Sequence, residues 1–322
     1  MYDKAIHVHV ARVPLSVSDL ANYASTENLS LPDASVSLLI LEHMESSRLI
    51  RENLNLFMDN IIQNVRLHSK RRTDMTEKYG RSFTGKVALV AGGSRGIGEG
   101  IVRRFASDRA VVAFTYSNSE EKAKRLASEI EAAGGKALPI KADSASADDI
   151  RAAVDQVVKE LGELDIFVNN AGILIQGTIG SYSLEDLDRM LDINVRAAFV
   201  GIQAASEQMK DGGRIILIGS NTAVRTAFPG ASVYSMTKAA LTGLVRGAAI
   251  DLAPRAITVN NVQPGPTATD MSAPYAEAVK TLVPLGRMAD VSEIAGFVSY
   301  LASDEAGFIT GSSLTIDGGY IA

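Results

Sequence analysis

The sequence contains no cysteine among its 322 residues. Disulfide bonds, thiolate nucleophiles and cysteine-based metal sites are therefore excluded, and the composition is compatible with a reducing cytoplasm. Basic residues are not in excess either, because 32 Lys and Arg stand against 37 Asp and Glu and leave a formal net charge of −5. A surface of that sign does not suit a phosphate backbone, so we expect no nucleic-acid partner.

Long apolar runs are also missing. None approaches the roughly 20 residues that a membrane-spanning helix needs. The longest early run, residues 36–41, is too short for the apolar core of a signal peptide. We therefore expect a cytoplasmic protein with no membrane partner, and with 46% hydrophobic residues it can bury a large core.

A polar stretch at residues 70–74 separates two parts of different pattern. We predict an N-terminal extension over residues 1–78 and a main domain over residues 79–322. Apolar residues at three-to-four spacing indicate an amphipathic helix over residues 34–67 of the extension. This helix would pack on the main domain, form a loosely ordered leader, or serve docking or oligomerisation. Met75 leaves open that the extension is an artefact of the gene boundary.

All four histidines lie in the extension, at His7, His9, His43 and His68. His7 and His9 would share one face of a strand, but no third ligand accompanies them. We therefore expect no metal site.

From about residue 84 onward, short apolar runs alternate with longer helical patterns. The six runs lie at residues 87–90, 111–114, 137–140, 166–168, 215–218 and 257–259. Such alternation is typical of βαβ units with right-handed crossovers around a buried parallel sheet. The sequence therefore predicts an α/β domain with a doubly wound parallel sheet.

A glycine-rich turn follows the first predicted strand and leads directly into a helical pattern. The turn comprises Gly92, Ser94, Arg95, Gly96, Ile97 and Gly98, and its glycines are spaced GxxxGxG. Backbone amides and the helix dipole at such a turn can receive a pyrophosphate, although a tight turn alone can also require glycine. The strand before it and the helix after it favour dinucleotide binding.

The second predicted strand ends in Tyr116, Ser117 and Asn118, without an acidic residue for an adenosine ribose 2′-hydroxyl. NAD therefore lacks its usual anchor. Arg95 supplies a cation, and Ser117 and Asn118 supply donors, where a 2′-phosphate would lie. We predict NADP as the cofactor; the alternative is that Arg95 is an ordinary solvated side chain.

Tyr234 and Lys238 form a YxxxK pattern that places both side chains on one face of a predicted helix. An isolated phenol has a pKa of about 10, and a neighbouring ammonium favours the phenolate. We therefore expect Lys238 to lower the pKa of Tyr234. YxxxK also occurs by chance, but here Ser220 ends a strand upstream and can hold a substrate oxygen, while Asn194 can complete a proton relay.

These motifs resemble, in order and spacing, the short-chain dehydrogenase/reductase family over residues 83–322. The resemblance implies a Rossmann-type domain that transfers a hydride between NADP and a ketone, aldehyde or secondary alcohol. It implies a catalytic tetrad of Asn194, Ser220, Tyr234 and Lys238. It also implies cofactor contacts by Tyr234 and Lys238 and by loop residues Asp143, Ser144, Asn170, Ala171, Gly172, Pro264, Gly265 and Thr269. From the likeness of the C-terminal residues we expect a homo-oligomer, a tetramer or a dimer.

Within the family, residues 101–116 and the motifs GGSRGIG and VQPGPTATD look most like the subgroup of the cyclic-di-GMP-binding biofilm-dispersal protein. Reductases of 3-oxoacyl-carrier-protein are also similar. The likeness keeps open an alternative function, nucleotide binding of the cyclic-di-GMP type with little turnover. An acyl-carrier partner is less expected, because few basic residues precede the fifth predicted strand.

Substrate choice would depend on residues 221–230 and on a predicted lid over residues 271–285. Apolar side chains there, such as Phe228 and Met271, favour a mostly apolar substrate. One departure from the family concerns the glycine turn, where Ala91 stands in place of the usual Thr. The loss of one hydroxyl bond should loosen the turn by on the order of 1 kcal/mol without abolishing cofactor binding.

Overall fold

The structure is a computed structural model that describes residues 82–226 and 228–322. The predicted helix over residues 34–67 and the four histidines lie outside the described residues. So does the whole predicted extension, and its boundary with the main domain stays a prediction.

Seven strands alternate with helices along the described chain. The strands are β1 (Val87–Ala91), β2 (Val111–Tyr116), β3 (Lys136–Lys141), β4 (Leu164–Asn169), β5 (Met209–Ile218), β6 (Thr258–Pro264) and β7 (Ser313–Ile316). The helices are α1 (Gly96–Ser107), α2 (Glu120–Ala132), α3 (Ala147–Leu161), α4 (Leu184–Leu191), α5 (Ala197–Gln208), α6 (Ser232–Leu252), α7 (Ala276–Lys280) and α8 (Val291–Ala302). Within this part of the chain, no helix is both long and apolar enough to cross a membrane.

All neighbouring strands pair in parallel, in the order β3-β2-β1-β4-β5-β6-β7. Both faces of the sheet are covered, which explains why its strands are apolar on both sides. Ala88 and Val90 of β1 face a core built with α1, α2 and α8. Val87 and Leu89 of the same strand face a second core built with α3, α5 and α6. The predicted doubly wound sheet is confirmed.

The strand order reverses between β1 and β4. From β1 the chain moves outward to β2 and β3, and it then returns to the other side of β1 to form β4. In open α/β sheets the crevice at the carboxyl ends of such strands is the usual place for a ligand. The glycine turn follows β1 and residues 170–172 follow β4, so both lie at this crevice.

Three strands differ from the prediction, and one of them, β6, continues to Pro264, five residues beyond the predicted end at residue 259. The last strand, β7, was not predicted, because its residues Ser313 and Thr315 break the apolar run that marked the other strands. The fifth strand begins at Met209, six residues before the predicted start, and its register against β4 shifts between Leu164 and Ile166. The first half of β5 was not predicted, because the polar residues and glycines at 210–213 do not form an apolar run.

Residues 268–288 form an excursion between β6 and α8, at the place of the predicted lid. Thr267 and Ala289 pair as an isolated parallel bridge at its base. The amide of Ala268 donates to the Ala289 carbonyl at 2.9 Å, and the amide of Ala289 donates to the Pro266 carbonyl at 2.8 Å. The two ends of the lid are therefore held together, and its middle contains α7.

Candidate active site

The glycine turn between β1 and α1 is packed so closely that side chains would not fit. Gly92 has a φ of +70°, and a Cβ there would lie 2.9 Å from the Cα of Ala171. A Cβ on Gly98 would overlap the carbonyl oxygen of Gly92 and lie 2.5 Å from Nδ2 of Asn170. The turn is therefore pressed against the loop that follows β4, as expected where backbone must approach a bound group closely.

The polar groups of Gly92 are bonded although Ala91 offers no hydroxyl. The Gly92 amide donates to Oγ1 of Thr115 at 2.9 Å, and Nδ2 of Asn170 donates to the Gly92 carbonyl at 2.8 Å. Next to it, the Gly93 amide donates to the Thr115 carbonyl at 3.0 Å. Thr115 was not predicted as part of the turn, because it lies within the otherwise apolar strand VVAFTY and belongs to no motif.

Helix α1 begins with free backbone donors. Arg95 lies at its N-cap in an extended conformation, without a side-chain hydrogen bond to the first turn. The amides of Gly96, Ile97 and Gly98 therefore have no partner inside the helix, and the helix dipole adds partial positive charge there. Such an end suits a pyrophosphate. Ser94 is buried beneath the same turn.

A basic cavity of about 310 Å³ adjoins the glycine turn. Its cationic lining residues are Arg95, Arg103, Lys122 and Arg125, against two acidic ones, Glu99 and Asp270. Arg103 pairs with Glu99 and Glu129, Arg125 pairs with Glu129, and Lys122 pairs with Asp270. Arg95 is the lining cation without an ion pair among the described residues, so it is the one best placed to meet a phosphate. Arg95 is exposed and forms part of this wall, and its contact with a 2′-phosphate stays a prediction.

The other residues predicted near the adenosine lie at the ends of β2 and β3. Tyr116 is half-buried, and Ser117 and Asn118 are exposed beyond it; none of the three lines the basic cavity. Asp143 accepts a hydrogen bond from the Ala145 amide at 3.0 Å, which shapes the turn after β3 that also contains Ser144. These residues follow strands β2 and β3 and so lie at the carboxyl edge of the sheet, where the crevice is. Their contacts with a cofactor stay predictions.

Residues after β6 approach the glycine turn from the other side. Pro264 ends β6, and the Gly265 amide donates to the Ile316 carbonyl at 2.9 Å. A Cβ built on Gly96 would lie 3.4 Å from Cγ2 of Thr269. The structure thus brings together the predicted sets around residues 92–98, 170–172 and 264–269.

A π-helical turn places Asn194. This turn, Asp192–Arg196, lies between α4 and α5, and π-turns inside helices are frequent at functional sites. Nδ2 of Asn194 donates to the Ile173 carbonyl at 2.9 Å and to Oγ1 of Thr237 at 3.1 Å, while Oδ1 accepts from the Ile173 amide at 2.9 Å. Both amide hydrogens are therefore used, and Oδ1 is the atom left for a relay water.

Lys238 is a buried cation close to Asn194. Its side chain is in helix α6, the residue is 4% exposed, and Nζ donates to the Ile218 carbonyl at 2.9 Å. A Cβ on Gly172 would lie 3.3 Å from Nζ and 3.3 Å from Oδ1 of Asn194, so the three residues converge. Burial lowers the pKa of Lys238 from 10.5 to about 8.

Tyr234 lies one helical turn before Lys238, and Nζ of Lys238 is 5.7 Å from the centre of its ring. Burial raises the pKa of Tyr234 above its ordinary value, and a hydrogen bond with Ser220 acts in the opposite direction. The predicted lowering by Lys238 is therefore wrong for the protein alone. The reason is that the ammonium bonds a backbone carbonyl and lies against the ring, while desolvation penalises the phenolate.

Ser220 follows β5 by two residues and precedes a short 3₁₀ turn, Asn221–Ala223. Its Oγ accepts hydrogen bonds from the amide of Thr222 at 3.2 Å and from Oγ1 of Thr222 at 2.9 Å. Ser220 is also close enough to Tyr234 to lower the pKa of its phenol. The structure thus brings all four residues of the predicted tetrad to one place. Thr237, which accepts a hydrogen bond from Asn194, is a neighbour that was not predicted from the sequence.

The arrangement matches known proteins over the same part of the chain. A family model described as "Enoyl-(Acyl carrier protein) reductase" matches residues 91–321. The cyclic-di-GMP-binding biofilm dispersal mediator protein of Escherichia coli (strain K12) is 44% identical over 242 residues, which cover 74% of this chain and 98% of that protein. The 3-oxoacyl-[acyl-carrier-protein] reductase FabG of Staphylococcus aureus (strain Mu50 / ATCC 700699) is 39% identical over 240 residues, 73% of this chain and 97% of that protein.

Solved structures agree. A short-chain dehydrogenase/reductase from Serratia marcescens BCRC 10948 is 56% identical with a TM-score of 0.73, and the match covers 74% of this chain and 99% of that one. A short-chain dehydrogenase from Burkholderia cenocepacia J2315, solved in complex with NADP, is 45% identical with a TM-score of 0.73 and the same coverage. With the sheet order, the glycine turn and the converging tetrad, these matches show that the chain belongs to the short-chain dehydrogenase/reductase family.

Proposed function

We propose that this protein is an NADP-dependent oxidoreductase that reduces a ketone or aldehyde, or oxidises the corresponding alcohol. The observation that carries the proposal is the convergence of Ser220, Tyr234 and Lys238 at the carboxyl edge of the sheet, beside the glycine turn. A pure binding protein has no evident use for a buried lysine beside a tyrosine and a serine at the edge of the cofactor turn.

The residues fit the cofactor. Glycines leave no room for side chains between the first turn and Ala171, and the first-turn amides of α1 are available for the pyrophosphate. Arg95 and the basic cavity suit the 2′-phosphate. Lys238 has Ile218 as its one hydrogen-bond partner among the described residues, so its remaining donors can hold the nicotinamide ribose. NADPH, when bound, supplies the hydride.

Tyr234 acts as the acid of the reduction. Because burial raises its pKa, its hydroxyl is protonated at neutral pH and can give that proton to the carbonyl oxygen of the substrate. Ser220 holds the same oxygen through its hydroxyl. Lys238, largely charged near neutral pH, stabilises the phenolate that remains, and Asn194 anchors the relay that returns a proton.

The test is consumption of NADPH, followed by absorbance over a panel of ketones and aldehydes. We expect Tyr234→Phe to lose at least a hundredfold in kcat, the scale of general acid catalysis, while NADPH binding is kept. Tyr300→Phe in α8 is a matched control, since Tyr300 stacks on Phe297 of its own helix and should keep parent rates. Equal rates for parent and Tyr234→Phe would refute the role of Tyr234.

The substrate is a mostly apolar molecule in this proposal. Met271, Leu282 and Leu285 of the lid region are exposed large apolar side chains, at 45%, 55% and 68% exposure. Apolar walls with a few polar groups at the reacting end are typical of small-molecule sites.

The protein works in this proposal as a cytoplasmic homo-oligomer, a dimer or a tetramer. The outer face of α6 combines small residues, Gly243 and Gly247, with exposed Met236 and Ile250. Phe199 on the neighbouring helix α5 is exposed too. An apolar and small-residue helix face of this kind suits close packing against a second copy.

The alternative function is binding of a cyclic dinucleotide with little turnover. It is favoured by the likeness to the Escherichia coli protein, whose name states that it binds cyclic-di-GMP. Calorimetry with cyclic-di-GMP and with NADPH separates the two. Tight binding of the former together with no turnover of any carbonyl would favour the alternative.

A further inference from the structure

Residues 317–322, which follow β7 and end the chain, contact the loop that carries Ser220. Oδ2 of Asp317 accepts hydrogen bonds from Nδ2 of Asn221 at 3.2 Å and from the Ile321 amide at 3.1 Å. Oδ1 of Asp317 accepts from the Gly319 amide at 3.0 Å. One carboxylate therefore folds the C-terminal residues into a turn and ties this turn to the residue next to Ser220.

A second link joins the same two segments. Nη1 of Arg225 donates to the Tyr320 carbonyl at 2.8 Å, and the guanidinium carbon lies 5.7 Å from the centre of the Tyr320 ring. Tyr320 is 7% exposed, so the end of the chain is anchored in the domain. A hydrogen bond combined with a cation–π contact fixes the loop at both of its ends.

The same residues also contact the base of the lid. The Leu285 amide donates to the Gly318 carbonyl at 3.2 Å. Cβ atoms on Gly318 and Gly319 would lie 2.8 Å from Cγ1 of Val283 and 3.1 Å from Cγ of Pro284. Both glycines have positive φ, +65° and +89°, so glycine is needed for the backbone conformation as well as for the space.

Asp317 lies where these contacts meet the nicotinamide-side segment. The Gly265 amide donates to the carbonyl of Ile316, and a Cβ on Gly265 would overlap the side chain of Asp317. Three segments that border the reacting end of the site thus contact residues 317–319: the Ser220 loop through the Asp317 carboxylate, the lid base through Gly318 and Gly319, and residues 264–265 beside the Asp317 Cα and Cβ.

We propose that residues 317–322 form a C-terminal clasp and that Asp317 is a positioning residue for the reaction. Through Asn221 it holds the backbone that carries Ser220, and through Gly318 and Gly319 it sets the position of the lid base. Asn221 is 4% exposed, so its amide depends on a protein acceptor, and the charged carboxylate is the stronger kind of acceptor. The inference rests on the proposed function, because Ser220 is the group that it positions.

The first test is a double-mutant cycle on the full chain. Asp317→Asn keeps the size of the side chain but removes the negative charge and replaces one of the two accepting oxygens with a donor, so the three hydrogen bonds from Asn221, Gly319 and Ile321 cannot all be kept. We expect kcat to fall about tenfold, the effect of losing one charge-assisted hydrogen bond, with the Kd of NADPH unchanged. In a Ser220→Ala background the same substitution should change kcat by less than about twofold, because the group that it positions is gone.

Asp304→Asn is the matched control, since Asp304 is fully exposed and paired only at 3.5 Å with Arg214; it should leave kcat at the parent value. A tenfold loss that persists in the Ser220→Ala background would overturn the positioning role, because Asp317 would then act independently of Ser220. An unchanged kcat in Asp317→Asn would overturn it as well.

Hydrogen exchange gives a readout that needs no turnover. In Asp317→Asn, amides at 222–225 and at 282–286 should exchange faster than in the parent, while the strands β1 and β4 keep their protection. Unchanged exchange at both segments, or a uniform increase over the whole domain, would overturn the clasp. If the parent reduces no carbonyl, the proposed function fails, and the exchange data still decide whether the clasp exists.

Discussion

Lys238 should make the stability of the protein depend on pH, and Lys238→Met should remove that dependence. The pKa of this buried lysine is lowered from 10.5 to about 8. A difference of this size between the folded and unfolded chain corresponds to about 3 kcal/mol, which opposes folding while the group is charged in both states. Methionine has a similar length and no charge, so it fills the same space without this cost.

The sign follows from counting protons. Below about pH 8 both states hold the proton and the cost is complete. Between about pH 8 and 10.5 the unfolded chain still binds a proton that the folded chain has released, so the free energy of unfolding rises with pH. With the pKa at about 8, the rise from about pH 7 to about pH 9.5 is on the order of 2 kcal/mol. Tyr234 has a raised pKa in the folded chain and an ordinary value of about 10 in the unfolded chain, so it adds little to the change between about pH 7 and about pH 9.5.

Urea denaturation without cofactor, followed by circular dichroism at the two pH values, measures the effect. The difference in free energy of unfolding between parent and Lys238→Met should change by about 2 kcal/mol, since titration of all other groups cancels. Methionine leaves the Ile218 carbonyl without its donor, which shifts the variant by a constant of about 1 to 3 kcal/mol but adds no pH dependence. If the free energy of unfolding changed equally with pH in parent and variant, burial would not lower the pKa of Lys238, and this prediction would be refuted.

The remaining predictions concern the cofactor turn and assembly. Arg95→Ala should weaken the affinity for NADPH about ten- to a hundredfold and the affinity for NADH much less. Ser117→Asp should repel the 2′-phosphate and improve the affinity for NADH. Equal losses of affinity for both cofactors in Arg95→Ala would refute the role of Arg95 in binding the 2′-phosphate. Gly98→Ala should abolish cofactor binding because its Cβ overlaps the Gly92 carbonyl, whereas Gly180→Ala, with open space around it, should bind normally in the same titration. Ile250→Glu on the outer face of α6 should lower the mass seen by light scattering, and an unchanged mass would exclude that face as an interface.

Local patterns were enough to predict the framework of the site. Six of the seven strands could be predicted as apolar runs without knowing which strands they pair with, because buried parallel strands are apolar on both faces. The glycine turn was recognisable because glycine alone fits where two backbone segments approach closely. The contacts that a Cβ would make at Gly92 and Gly98 show this. The spacing of Tyr234 and Lys238 fixed their common helix face without any structure.

What the sequence could not show depends on distant segments. Thr115 looks like any strand residue until the glycine turn lies against it, and Thr237 lies between two motif residues without a motif of its own. The buried residues Asn260 and Asn261 of β6 make this strand look too polar for a core, because their partners, the Ile309 carbonyl and Ser313, lie some fifty residues away in the chain. Such pairings become visible in the folded chain alone.

The pKa of Tyr234 shows how burial, rather than the neighbouring charge, sets the state of the site in the protein itself. In water a phenol and an ammonium have similar pKa values, about 10 and 10.4, and their mutual attraction alone would lower the first and raise the second. Desolvation opposes charge on both groups, raising the pKa of Tyr234 and lowering that of Lys238. The proton therefore stays on the phenol. Reduction starts from the protonated phenol and oxidation of an alcohol from the phenolate, so in the protein without cofactor Tyr234 is in the state that can give a proton to a carbonyl oxygen.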